Sequence, residues 1–134
     1  MTSILTLHRA VKTRLGQMVN TPVYEGDATP TATVGQYAIL FPSGGHGYGD
    51  RVSGQQNALD WRIAVMFVGR SVPACLDAVT QGRNLLLGWD PDPVNLAGTY
   101  FTEDENNPPI LPAKSVEGDV RYSITPTYRL TTDR

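Results

Sequence analysis

Twelve residues in the middle of the chain, ALDWRIAVMFVG at 58–69, alternate so regularly that they leave little choice of local structure. Leu59, Trp61, Ile63, Val65 and Phe67 fall on one side, and Asp60, Arg62, Ala64, Met66 and Val68 on the other. A period of two belongs to a strand with one face buried. On a helix the same apolar residues would be scattered around the axis. The second side turns apolar from Ala64 onward, so the end of this strand is expected to be covered on both faces. Upstream, QYAILF reads as its partner, and residues 36–42 and 58–69 become two arms of an antiparallel hairpin.

Helical spacing brackets this hairpin. Ile4, Leu7, Val11, Leu15 and Met18 recur at intervals of three and four, with Ser3 as a cap and Gly16 near the end. Arg9, Lys12 and Arg14 lie mostly off that stripe, as a solvated polar face or a basic contact patch. SVPACLDAVTQGRNLLLGW reads as a second helix, with Ser71 at the N-cap and Pro73 in the first turn. Val72, Cys75, Leu76, Val79, Leu86 and Leu87 form its expected inner stripe. Cys75 falls on that stripe as a small buried hydrophobe. Residues 90–119 hold five prolines (Pro91, Pro93, Pro108, Pro109 and Pro112) and read as irregular, with a short strand at TYFT and an acidic tip, EDENN. PVYEGD reads as another short strand. The closing DVRYSITPTYRLTT alternates through Val120, Tyr122, Ile124, Tyr128 and Leu130, and Pro126 inside it argues for an edge position or a bulge. The order helix, strands, helix, strands predicts an α+β fold in one domain spanning 1–134: an antiparallel sheet with helices packed on one face and long inter-strand loops.

Composition excludes more than it assigns. The 134 residues carry 11 Lys and Arg against 13 Asp and Glu, a formal charge of −2. That balance lacks the clustered cations that grip nucleic acid. One cysteine permits no internal disulfide and fits folding in a reducing compartment. His8, Arg9 and Lys12 interrupt the N-terminal apolar residues, so a secretory signal is not expected, nor is a membrane-spanning run. The expected setting is a soluble protein made in a cytoplasm.

The richest candidate for chemistry is FPSGGHGYGDRVSG at 41–54, with five glycines in fourteen positions. Gly44 and Gly49 have the spacing of a phosphate-binding P-loop, but Asp50 and Arg51 stand where lysine and a hydroxyl residue are needed. An acid there repels a phosphate. The dinucleotide fingerprint fails too, because Asp50 occupies the third glycine position. Both phosphate loops lead into helices, whereas this segment leads into a strand. His8 and His46 sit on different elements, and a lone cysteine adds no metal cluster. A His46–Asp50 pair on a glycine-rich loop would be too mobile for catalysis. No cofactor, metal or enzymatic activity is expected.

Two excursions remain: roughly fifteen residues between the hairpin arms and about thirty before the last strand, beyond the usual length of loops in compact domains. Aromatic and apolar residues punctuate both, so they lack a typical disordered composition. A neighbouring chain is the expected agent of their order. The N-terminal helix, long-looped hairpin, helix opened by SVPACLDAV and closing VRYSITPTYRLTT strand together resemble a phage tail terminator (tail completion) protein of long-tailed phages, over essentially the whole chain. RYSITPTYRL is the most suggestive stretch.

That resemblance implies a homohexameric ring on the tail tube that ends tube polymerisation and offers a surface to the head-side connector. It places the protein in the virion at the tail–neck junction, after assembly in the host cytoplasm, with DNA passing through the bore. Such proteins act by contacts, so the resemblance carries over no catalytic residues. Candidate contacts with neighbouring subunits or partners are Gly44, Gly45, His46, Tyr48, Asp50 and Arg51 in the glycine-rich stretch, and Glu103, Asp104 and Glu105 in the acidic tip. Replacing Gly44–Gly54 by a two-residue turn is expected to spare the fold and abolish assembly. Alternatives are another neck or tube ring protein, or a small ligand-binding or enzymatic α+β domain with a concave pocket.

Overall fold

The computed structural model describes residues 4–26, 35–43, 46–49, 56–91, 100–103, 109–114 and 120–132. Its elements, in chain order, are α1 (Ile4–Leu15), β1 (Val23–Glu25), β2 (Gln36–Pro42), β3 (His46–Gly49), β4 (Gln56–Gly69), α2 (Val72–Leu86), β5 (Thr102–Glu103), β6 (Leu111–Lys114), β7 (Val120–Ile124) and β8 (Thr127–Thr132). The fold is α+β: a mostly antiparallel sheet carries both helices on one face, and the parallel β1–β2 pair departs from the all-antiparallel expectation.

β4 is the spine. Along one edge it pairs with β2 through Gln36↔Gly69 to Pro42↔Ile63, then with β3 through His46↔Asp60 to Gly49↔Gln56. Along the other it pairs with β7 at Phe67↔Ile124 and with β8 from Ala64↔Thr127 to Leu59↔Thr132. The alternation of β4 sorts its residues as expected: Trp61, Ile63, Val65 and Phe67 are buried toward the helices, while Arg62 is exposed on the opposite face. Val68 and Ile39 are buried on that opposite face, as the apolar end of the strand implied.

The glycine-rich stretch corrects the expectation of a fifteen-residue loop. Ser43 donates its backbone N–H to Arg62 O at 2.9 Å, and His46–Gly49 then continue along β4 as a strand. From Pro42 to His46 the first arm advances four residues while β4 advances three, from Ile63 to Asp60. The register against β4 therefore shifts by one residue between Pro42 and His46. A second irregularity falls between Tyr48 and Gly49.

β7 and β8 form one line broken at Thr125 and Pro126. Pairing with β4 keeps its register across the break, and the Pro126 carbonyl accepts Val65 N–H at 3.1 Å. No bulge is needed. β6 pairs β7 and β5 pairs β8 on the far side, at Leu111–Lys114 and Thr102–Glu103. Pro126 accepts from Val65 but has no N–H to return to the Val65 carbonyl, so the ladder to β4 loses one bond at the break. The 90–119 stretch is thus less irregular than its prolines suggest, because edge strand β6 accommodates Pro112.

Helix α1 buries Leu7, Val11, Leu15 and the following Met18, with Ile4 partly buried. In α2, Ser71 Oγ caps the helix by accepting Ala74 N–H at 3.3 Å. Its inner stripe is rotated from the expected one. Cys75, Val79 and Leu86 are buried with Ala78 and Gly82, but Val72, Leu76 and Leu87 are 41%, 50% and 37% exposed. Close approach explains the rotation: a methyl on Gly82 would sit 2.6 Å from Phe67 Cε1. The helix meets the sheet through its smallest residues, which leaves larger ones outside. Cys75 is buried and donates its thiol to Phe67 O at 3.4 Å, and burial raises its pKa.

Candidate assembly interface

The sheet divides along β4 into two halves, and the half built on residues 56–64 carries the contact candidates. Across it the order is β3, β4, β8, β5. His46 and Tyr48 lie on β3 at one edge, and Glu103 lies on β5 at the other. Gly44, Gly45, Asp50, Arg51, Asp104 and Glu105 lie outside the described residues. What the structure adds is that the described candidates, His46 and Tyr48 on the one hand and Glu103 on the other, lie on the two outer strands of the same four.

Both edges are anchored from within the chain. Trp61 is fully buried, and its Nε1–H donates to Ser43 O at 2.9 Å, which fixes the entry to β3. Its ring lies 5.9 Å from Phe101, and Phe101 stacks on Trp89 with 6.1 Å between centroids and 11° between planes. Arg14 sits over the Trp89 ring at 5.3 Å and donates to Leu85 O at 2.9 Å. This column joins α1, the end of α2 and the start of β5 to the spine. Glu103 is held as well. Its carboxylate takes Arg83 Nε at 2.9 Å and Nη2 at 3.0 Å, a two-pronged pair that raises the pKa of Arg83. Beside it on the sheet, burial pushes the pKa of Tyr128 up, with the Glu103 charge adding to the rise.

A polar seam closes the opposite side of the helix layer. Asp77 Oδ2 accepts Gln36 Nε2 at 2.7 Å and Gln81 Nε2 at 2.8 Å, and these bonds hold its carboxyl below the ordinary range. Gln81 in turn accepts Val19 N–H, and Gln36 donates to Thr21 Oγ1 at 2.8 Å. Near β1, Glu25 meets Lys12 Nζ at 3.0 Å and His8 Nε2 at 3.2 Å, which lowers its pKa chiefly through the lysine bond. The basic residues of α1 are therefore divided: Lys12 and Arg14 serve contacts within the chain, and Arg9 stays exposed.

Sequence reasoning missed a charged strip on the helix-free face. Asp60 accepts Arg129 Nε at 2.8 Å and Nη2 at 2.9 Å, while Arg62 stands directly opposite Arg129 in the β4–β8 pairing. The alternation of 58–69 assigned Asp60 and Arg62 to one side, but only the register brings Arg129 beside them. Phe41, 41% exposed, is paired with Ala64 on the same face.

Among the described residues no three of His, Cys, Asp and Glu gather as metal ligands, and no helix is long and apolar enough to cross a membrane. No family model matches the chain, and no curated protein matches its sequence. In fold the chain is similar to one in the "Virion of native gene transfer agent (GTA) particle", with a TM-score of 0.54 and 14% identity over 94% of this chain and 90% of that chain. At that identity the likeness is one of architecture.

Proposed function

We propose that this protein is a structural component of a virion, and that it forms a ring at the head-proximal end of a phage tail. The observation that carries this reading is the fold similarity to a virion chain across nearly the full length of both. The resemblance of the element order and the closing strand to tail terminators supplies the finer role. In that role a hexameric ring ends tail-tube polymerisation and joins the tube to the head-side connector, through contacts and without catalysis.

The chemistry of the subunit suits the task. A cyclic ring needs two different patches per subunit, one meeting the other on the next copy. Strands β3 and β5 form opposite edges of one half-sheet, and two different edges suit such a pair. Six chains of formal charge −2 bring net negative charge to a bore through which DNA passes, and a repulsive wall favours sliding over sticking. Electron microscopy of the purified protein tests the reading. Single closed rings are expected; extended tubes would favour a tube subunit, and isolated protomers at high concentration would count against a ring altogether.

A further inference from the structure

We draw no further inference here: the strongest candidate, the outward side of α2 where Val72, Leu76 and the C-cap Leu87 stand exposed, is an unpartnered apolar helix face, and nothing in the structure shows what covers it.

Discussion

Gly82 shows how one residue sets the spacing of a layer. It is the point where α2 comes nearest the sheet, with Phe67 filling the room a side chain would take. Alanine normally stabilises a helix interior over glycine by about 1 kcal/mol. Here overpacking, at about 1–3 kcal/mol, opposes that gain. Gly82→Ala is therefore expected to lower the urea midpoint despite its better helix propensity. Trp61→Ala removes a fully buried ring together with its bond to Ser43, and is expected to cost about 3–5 kcal/mol in chemical denaturation. Asp77 gives a pH-dependent case. Its carboxyl is held below the ordinary value of 3.8, so its contribution is present above that value and is lost as pH falls through the lower folded pKa. The thermal midpoint of wild type should exceed that of Asp77→Asn at pH 7 and converge on it near pH 2. Such effects are only partly legible in sequence. Trp61 announces its burial by alternation, whereas Gly82 lies in the helix as an ordinary weak helix former until Phe67 is placed against it.

At the scale of elements, local patterns located most of the strands but could not show how far the pairing ran. Alternation marks 58–69 as a strand and Ser71 marks the start of α2, because both signals are local. The continuation of β2 into β3 is non-local. Glycines at 47 and 49 suggest a loop, and only the ladder to Asp60, Leu59 and Ala58 makes this segment a strand. The same holds for β6, whose Pro112 argues against a strand until it is found at an edge. The stripe of α2 went wrong because hydrophobicity favours Val72, Leu76 and Leu87 while close packing favours Ala78 and Gly82. Among the contact candidates, Glu103 proves to be bound to Arg83, and the strip at Arg62 and Arg129 needed the register of β4 and β8 to become visible.

The ribbon also revises how the glycine-rich segment should be shortened. Ser43 lies opposite Arg62, seven residues beyond position 55, a span of about 23 Å along a strand. A two-residue turn in place of Gly44–Gly54 cannot bridge it. Removing paired positions avoids the problem: an Asn-Gly turn replacing Gly49–Asn57 rejoins the arms at Tyr48 and Ala58. This variant is expected to keep the near-ultraviolet signature of the packed aromatic column and to lose higher assemblies in light scattering. A variant that unfolds would instead assign the ribbon to the stability of the subunit.

For the whole molecule, the account makes the subunit a compact support for segments that work between copies. The core gathers under both helices around Trp61, Phe67, Tyr128 and Phe101, and β4 runs past it to carry the ribbon. Native mass spectrometry of the purified full-length chain tests this most directly. The account predicts one closed stoichiometry, six copies, that persists with dilution. A chain that remains a single copy over the whole accessible concentration range would contradict it.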